Sequence, residues 1–324
     1  MRSNRLKTGT QLDLTKLQQQ LAWAAENDVN SGDKNNISRG FADWQLISSA
    51  LAPMIIQQGL SVVAICGSQG SGKSTLAEYL VSAISDLGVS AVAVSLDDFY
   101  LTQAQRRLLA QSVHPLLQTR GVPGTHDVEL LQQTLQTFAQ SKTQSKTQSK
   151  TQSKTEAKPA VAGAKQTPLL QLSLPKFNKG IDDRQGFRQV EASVLVLEGW
   201  CLGVQPEPEQ RLENAINSLE DVEDEGGHWR RWVNAQIGNR YAELWPQIDY
   251  WVQLNAPSFA QVHQWRGQQE ARLPKPQRMS EAQINRFIEH YQRLTLWQWQ
   301  SPNLQPGLQV ALAEDHRVKA VSLS

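Results

Sequence analysis

The stretch AICGSQGSGKST, residues 64–75, constrains the fold more than any other part of the chain. A continuous apolar run, SVVAIC, leads into a glycine-rich turn, and the helical pattern STLAEYLVSAI follows it. The turn matches G-x-x-x-x-G-K-[ST] at every fixed position, from Gly67 to Ser74. This order predicts a buried strand, a phosphate-binding loop and a helix as one unit.

The residue types in the loop specify its chemistry. Glycines let the backbone turn sharply and direct N–H groups inward, toward the phosphates of a nucleotide. Lys73 supplies a positive charge at the β- and γ-phosphates, and Ser74 supplies a hydroxyl for Mg²⁺. The predicted nucleotide-binding residues are Gly67, Ser68, Gln69, Gly70, Ser71, Gly72, Lys73, Ser74 and Thr75.

Four further apolar runs resemble the one before the loop. They are VSAVAVSL (89–96), ASVLVLEG (192–199), IDYWVQL (248–254) and LQVALA (308–313), and helix-length segments separate them. Strands that alternate with helices indicate a parallel sheet with helices on both faces. The predicted class is therefore α/β, a P-loop NTPase fold with about five strands, whose order the pattern leaves open.

The chain divides into an N-terminal helical extension and linker, residues 1–45, and a main domain, residues 46–324. Within the main domain, residues 141–154 repeat the tetrapeptide SKTQ and contain no apolar side chain. Such a segment has nothing to bury, so we predict a flexible, low-complexity insertion at residues 139–167.

Composition excludes several other classes. The formal net charge of +1 does not favour a nucleic-acid partner. No stretch approaches the length of a membrane span, and the basic N-terminus lacks the apolar core of a signal peptide. We therefore expect a cytoplasmic protein that contacts no membrane, and the sequence leaves protein partners open. Cys66 and Cys201 lie in apolar runs and are expected to be buried free thiols.

Acidic residues end two of the predicted strands. Asp97 and Asp98 follow VSAVAVSL, where a carboxylate can accept a proton from an attacking hydroxyl or can cap the next helix. Glu198 ends VLVLEG, where it can hold Mg²⁺ or be an ordinary strand-end acid. Ligands of open α/β sheets bind beyond the carboxyl ends of strands, so both places suit an active site.

Two other segments have alternative interpretations. RGVPGTHD (120–127) precedes a helical pattern, so Thr125 or Asp127 can cap that helix, or the loop can contact a substrate. NKGID (178–182) is similar to the guanine-reading N-K-x-D, but its Asp comes one residue late. This departure weakens the interpretation as a GTPase.

Several strings together resemble the D-glycerate 3-kinase family and its kinase-like relatives. They are the glycine-rich loop, SLDDFYLT, RGVPGTHD, LPKFNKGIDDR, VLEGWCLG and WVQLNAPSFAQVHQWRGQQE, in that order. The resemblance covers most of residues 46–320. It implies a P-loop small-molecule kinase domain related to uridine kinase, phosphoribulokinase and pantothenate kinase, with ATP and Mg²⁺ as cofactors.

The resemblance also implies roles for individual residues. Asp97 matches the catalytic base, and Arg266 matches a lid arginine that works with Lys73 to neutralise charge, although Arg266 can also be a solvated helix residue. Ser74 and Glu198 would hold the metal. The implied acceptor-side residues are Asp98, Tyr100, Arg120, His126, Asp127, Lys176 and Arg184. One departure is Asn178, where related sequences carry Asp.

The expected activity is ATP-dependent phosphorylation of a small hydroxylated acid, with D-glycerate converted to 3-phosphoglycerate. The alternatives are a kinase of the same fold that acts on a nucleoside, pantothenate or another sugar acid, and a nucleotide-binding regulatory protein. Intact Lys73, Ser74, Asp97 and Glu198 favour an enzyme over a scaffold that only binds nucleotide.

Overall fold

A computed structural model describes residues 11–29, 36–148, 168–275, 278–301 and 307–324. Its main sheet has six strands in the order β2-β5-β1-β6-β7-β8, and a separate hairpin pairs β3 with β4. The strands are β1 (Val62–Gly67), β2 (Ala91–Ser95), β3 (Leu170–Asn178), β4 (Asp183–Ala192), β5 (Val194–Gly199), β6 (Tyr250–Asn255), β7 (Gly307–Leu312) and β8 (Val318–Leu323).

The strands β2, β5, β1, β6 and β7 run parallel, and β8 is antiparallel to β7. All five apolar runs of the sequence form these parallel strands, so the predicted fold class is confirmed. Every residue of β1 and β5 is buried, as expected for central strands covered on both faces.

Helices cover both faces of the sheet. They are α1 (Leu14–Val29), α2 (Asn36–Gln58), α3 (Lys73–Asp86), α4 (Gln103–Ser112), α5 (Val128–Gln148), α6 (Ser218–Glu223), α7 (His228–Gln236), α8 (Phe259–Ala271) and α9 (Glu281–Gln300). Successive side chains of β1 point to opposite faces: Val62 and Ala64 belong to one buried cluster, and Val63 and Ile65 belong to the other. The protein therefore has one hydrophobic core on each side of the sheet.

The N-terminal helices belong to the second of these cores. Leu17 and Leu21 of α1 and Trp44 of α2 are buried in the cluster that contains Val63 and Ile65. Helix α2 runs without interruption across the expected boundary at residue 45. The extension therefore packs onto the sheet through the same helix that leads into β1.

The repeat begins as a helix. Helix α5 continues through residues 139–148, where lysine and glutamine are good helix formers. Residues 149–167 lie outside the described residues, so flexibility of the insertion stays a prediction.

The hairpin β3–β4 and the edge strand β8 are features that the sequence analysis missed. Leu170, Leu172 and Leu174 alternate with polar residues in β3, which is the signal of a half-exposed strand. Strand β8 is short and mostly exposed, so it lacks the continuous apolar run that marked the others.

Cys66 and Cys201 are both buried and free, as expected. Burial raises the pKa of the Cys66 thiol to about 12. Among the described residues, no helix is both long and apolar enough to cross a membrane.

Candidate active site

The glycine-rich loop connects the end of β1 at Gly67 to the start of α3 at Lys73. Gly70 and Gly72 adopt positive φ angles of 77° and 91°, which side chains rarely tolerate. A Cβ atom at Gly70 would lie 2.6 Å from the Cβ of Trp265, so close packing requires glycine there as well. The Lys73 ammonium donates to the Ser68 carbonyl at 2.9 Å and lies over the loop.

A pair of oxygen ligands lies at the start of α3. The Ser74 hydroxyl donates a hydrogen bond to Glu198 Oε1 at 2.9 Å, because β5 runs directly beside β1. Serine and carboxylate oxygens are hard ligands that suit Mg²⁺, which usually keeps waters and takes phosphate oxygens as well. In the described part of the chain no group of three or more His, Cys, Asp or Glu could form a metal site by itself. The pair therefore fits a metal ion bound together with a nucleotide.

Asp97 lies just beyond β2, in a short 3₁₀ helix over Leu96–Phe99. Its Oδ1 accepts a hydrogen bond from the Tyr100 hydroxyl at 2.9 Å, and its Oδ2 accepts one from Lys179 Nζ at 2.6 Å. Burial alone would raise the pKa of Asp97, but the Lys179 ammonium and the Tyr100 hydroxyl outweigh it, and the pKa is lowered. Asp97 is thus a carboxylate with both oxygens occupied.

Asp97 and Asp98 do not cap the next helix, which was the alternative interpretation. Helix α4 begins after Thr102, whose hydroxyl accepts from Gln105 N at 3.3 Å while Gln105 Oε1 accepts from Thr102 N at 2.9 Å. Asp98 instead accepts a hydrogen bond from Phe177 N at 3.2 Å and so joins the 3₁₀ helix to the hairpin.

One cavity of about 410 Å³ brings these parts together. The predicted residues that line it are Gln69, Gly70, Lys73, Ser74, Asp97, Tyr100, Arg120, Glu198 and Arg266. Its other lining residues, which the predicted site did not include, are Thr119, Lys179, Asp182, Gly199, Trp200, Gln269, Met279, Phe287 and Tyr291. The cavity therefore connects the phosphate-binding loop directly to Asp97.

Two arginines hold the tip of the β3–β4 hairpin at the cavity. Arg120 pairs with the carboxylate of Asp182, and its guanidinium lies 5.5 Å from the Phe177 ring centroid. Fully buried Arg106 also pairs with Asp182, at 3.0 Å, and donates to the Gln118 carbonyl at 2.8 Å. Asp182 has a φ of 55°, a backbone strain that these two ion pairs offset.

Asn178 shapes the same tip. Its Oδ1 accepts hydrogen bonds from Gly180 N at 2.9 Å and from Ile181 N at 3.4 Å, and its amide nitrogen donates to Gln185 Oε1 at 3.0 Å. The first two bonds need only a side-chain oxygen, which Asp also supplies. The departure from the family pattern therefore preserves the turn.

Arg266, in α8, lines the cavity but is engaged elsewhere. It donates to Glu270 Oε2 at 2.8 Å, and its guanidinium lies 4.9 Å from the centroid of the Phe287 ring. Before its guanidinium could bind the phosphates of a nucleotide, Arg266 would have to break its ion pair with Glu270.

Five residues predicted to contact the acceptor lie outside the cavity lining. Asp98 binds the hairpin backbone, as described above. Arg184 donates to Asp127 Oδ2 at 3.0 Å and to the Tyr100 carbonyl at 3.1 Å. Asp127 also accepts from Leu130 N at 3.2 Å, so it caps α5, the interpretation that the sequence pattern favoured. Lys176 is exposed on β3, between the buried Pro175 and Phe177.

His126 lies behind the site. Its ring stacks on Tyr100 with centroids 4.6 Å apart, and its Nδ1 shares a hydrogen bond of 2.7 Å with the Tyr241 hydroxyl. Burial lowers the pKa of His126 to about 4, so the imidazole is neutral near pH 7. In contrast to the prediction, it supports Tyr100 from behind and does not face the cavity.

The loop of residues 120–127 is held in place by aromatic residues that the sequence analysis did not select. Trp200 Nε1 donates to the Gly121 carbonyl at 3.0 Å, and the Tyr291 hydroxyl donates to the Arg120 carbonyl at 3.2 Å. The two rings pack edge to face with centroids 4.8 Å apart. The position of Trp200 in VLEGW, immediately after the end of a strand, was a signal in the sequence that could have identified it. Tyr291 lies in a helix far along the chain, and no sequence pattern pointed to it.

Comparison with known proteins identifies relatives of this chain. The chain is 32% identical over 246 residues to a kinase of Schizosaccharomyces pombe, uncharacterized kinase mug58, covering 71% of this chain and 78% of that protein. It is 26% identical over 244 residues to the chloroplastic D-glycerate 3-kinase of Arabidopsis thaliana, covering 71% and 46% of the two chains.

The chain belongs to the D-glycerate 3-kinase family. No family model matches it. A solved D-glycerate 3-kinase structure from Cryptococcus neoformans shares the fold, with a TM-score of 0.59 and 23% identity over 97% of this chain and all of that one. The protein is thus an ATP-dependent kinase of this family, and the predicted resemblance is confirmed.

Proposed function

We propose that this kinase transfers the γ-phosphoryl group of ATP to a hydroxyl of D-glycerate and releases 3-phosphoglycerate. The observation that carries the proposal is one cavity that both Lys73 of the phosphate-binding loop and Asp97 at the end of β2 line. Phosphoryl transfer needs a phosphate-binding group and a proton acceptor on opposite sides of one reacting atom.

On the nucleotide side, the loop N–H groups and Lys73 bind and orient the phosphates. Ser74 and Glu198 would hold Mg²⁺, which neutralises charge on the phosphates when it is bound. Arg266 adds a further positive charge once it leaves Glu270, which lies on the same helix one turn away.

On the acceptor side, Asp97 accepts the proton of the attacking hydroxyl. Tyr100 is 2% exposed and donates to Asp97 Oδ1, so it fixes the orientation of the carboxylate. The remaining oxygen, Oδ2, faces Lys179 and is the one that can accept from an acceptor. General-base assistance of this kind contributes roughly 10²–10⁴-fold to a rate.

A small acid suits the charges at this end of the cavity. Arg120 and Lys179 both line it, and arginine and lysine bind carboxylates through charge-assisted hydrogen bonds. The family relationship supports the same choice, since one relative is named a D-glycerate 3-kinase. A nucleoside or pantothenate acceptor remains the alternative within the same chemistry.

A panel of acceptors at saturating MgATP tests the proposal. ADP release should be stimulated strongly by D-glycerate and weakly or not at all by uridine, pantothenate and glycerol. Product analysis should give 3-phosphoglycerate. Stimulation by uridine or pantothenate and not by D-glycerate would replace the proposed acceptor and leave the kinase assignment in place.

A further inference from the structure

The ion pair between Lys179 and Asp97 neutralises the oxygen that the proposed reaction needs as a base. Both oxygens of Asp97 are occupied, Oδ1 by Tyr100 and Oδ2 by Lys179 at 2.6 Å. Each oxygen keeps a further lone pair, but a proton is accepted best by an oxygen whose charge is not already neutralised by a hydrogen-bonded ammonium. Which partner leaves decides when the base becomes available.

Tyr100 is the fixed partner. Its ring is buried, stacks on His126 with centroids 4.6 Å apart and meets Phe177 edge to face at 5.2 Å. The Lys179 side chain, in contrast, is 63% exposed at the hairpin tip. Lys179 is the exposed half of the pair, and a long exposed side chain gains little from being held in one geometry. Lys179 is therefore the partner that can leave.

The two arginines of the cavity are held more firmly, and Lys73 donates to the Ser68 carbonyl at 2.9 Å. Arg120 pairs with Asp182, which also binds the fully buried Arg106, so this cluster is anchored in the core. Arg266 pairs with Glu270, whose side chain is 4% exposed. Among the described residues that line the cavity, Lys179 is the most accessible cation next to the base.

We propose that Lys179 is a gate and a specificity residue: it occupies Asp97 until an acceptor with an anionic group draws its ammonium away. A carboxylate that enters the cavity competes with Asp97 for the ammonium, and Oδ2 then becomes free for the acceptor hydroxyl. A neutral acceptor, or water, offers no such exchange. This inference rests on the proposed function, with Asp97 as the base.

The reaction step balances as follows. The acceptor hydroxyl oxygen forms a bond to the γ-phosphorus, and the bond from that phosphorus to the oxygen bridging it to the β-phosphorus breaks. ADP leaves with that oxygen, and the hydroxyl proton moves to Asp97 Oδ2. While Lys179 holds Oδ2, the same transfer to water is suppressed, which protects ATP from hydrolysis in the absence of acceptor. The low pKa of Asp97 in this pair agrees with a base kept weak until Lys179 moves.

The test compares Lys179→Met with wild type in three ADP-release assays: no acceptor, D-glycerate, and glycerol as the neutral analogue. Without acceptor, Lys179→Met should hydrolyse ATP roughly tenfold faster, because Asp97 can then accept a proton from water. The ratio of kcat/KM for D-glycerate to that for glycerol should fall about 100-fold, the scale expected when a charge-assisted contact is lost.

Three further variants make the result specific. Lys176→Met removes an exposed lysine of the same hairpin outside the cavity and should match wild type in all three assays. Lys179→Arg should keep a preference for D-glycerate over glycerol. Adding Asp97→Asn to Lys179→Met should abolish the extra hydrolysis.

The outcomes distinguish a failure of the Lys179 gate from a failure of the proposed function. Hydrolysis that stays at or below the wild-type rate in Lys179→Met overturns the gate, and an unchanged acceptor ratio overturns the specificity role. A wild-type enzyme without any D-glycerate stimulation overturns the proposed acceptor instead, and the acceptor-free assay still decides the gate. Full transfer activity in Asp97→Asn overturns the proposed base.

Discussion

The Ser74 hydroxyl and Glu198 Oε1 lie 2.9 Å apart, joining the first turn of α3 to the end of β5. Two elements remote in sequence thus contribute one oxygen each to the same point. The contact exists because β1 and β5 are adjacent, with Ile65 opposite Glu198 in the sheet register.

Replacing Glu198 by Gln should weaken Mg²⁺ dependence selectively. Glutamine keeps an oxygen for Ser74 but removes the negative charge that favours a divalent cation. We expect the Mg²⁺ concentration for half-maximal ADP release to rise roughly tenfold or more, since second and first ligand shells commonly contribute 10- to 100-fold. Glu78→Gln, on the exposed side of α3, is the matched control and should not change it. An unchanged Mg²⁺ requirement in Glu198→Gln would remove this residue from the metal site.

Gly70→Ala should damage the phosphate-binding loop for two separable reasons. The new Cβ would sit in a left-handed backbone conformation and 2.6 Å from the Trp265 Cβ. Gly88 has a similar φ of 81° but nothing within 4 Å, so Gly88→Ala measures the backbone strain alone. Urea unfolding should show a loss of about 1 kcal/mol for Gly88→Ala and about 3 kcal/mol for Gly70→Ala. Equal losses would mean that the contact with Trp265 is easily relieved.

Arg106→Met should destabilise the protein far more than a change at its neighbour. The guanidinium of Arg106 is fully buried and donates to three backbone carbonyls, those of Leu101, Gln118 and Asp182. Its removal leaves these three carbonyls without their donor and leaves Asp182 with Arg120 alone, a loss of about 3–5 kcal/mol. Arg107→Met, at an exposed position of α4, should cost less than about 0.5 kcal/mol. Similar unfolding midpoints for the two variants would contradict this assignment.

The free energy of unfolding should decrease as the pH falls, and His126 should account for part of that decrease. Its pKa is lowered to about 4 in the fold, against 6.5 for a free histidine, so the unfolded chain binds a proton that the folded chain does not. Between pH 6.5 and about 4, this one group should lower the free energy of unfolding by about 1.4 kcal/mol per pH unit as pH decreases.

Other groups titrate in the same pH range. The test therefore compares how steeply the free energy of unfolding changes with pH in wild type and in variants. His126→Gln should show a shallower loss of unfolding free energy from pH 6.5 to 4.5 than wild type, measured by urea titration. His228→Gln, at an exposed position, should keep the wild-type slope. Identical slopes in wild type and His126→Gln would show that folding does not lower the pKa of His126.

The sequence predicted the sheet well because its parallel strands are buried on both faces and read as continuous apolar runs. It missed β3–β4 because that hairpin is half exposed and alternates, and β8 because an edge strand has few apolar residues. The succession of strand, glycine-rich turn and helix around Lys73 was predictable, since its motif is local.

The acceptor side was harder because charged residues in a loop do not reveal which way they point. Lys176 and Lys179 illustrate this: the register of β3 shifts between Pro175 and Phe177, and a shift of one residue changes which side chains face the cavity. Lys176 is exposed outside the cavity, and Lys179 pairs with Asp97. Only the tertiary structure distinguishes the two.

The most direct test of the account is phosphoryl transfer from ATP to D-glycerate by wild type and Asp97→Asn, followed by formation of 3-phosphoglycerate. ATP affinity, measured by titration calorimetry, should be nearly the same for both proteins, because Asp97 lies on the acceptor side. We predict transfer by wild type. In Asp97→Asn the rate should be lower by a factor of at least about 100, the contribution expected of a general base. Transfer at the wild-type rate by Asp97→Asn would contradict the central role of Asp97.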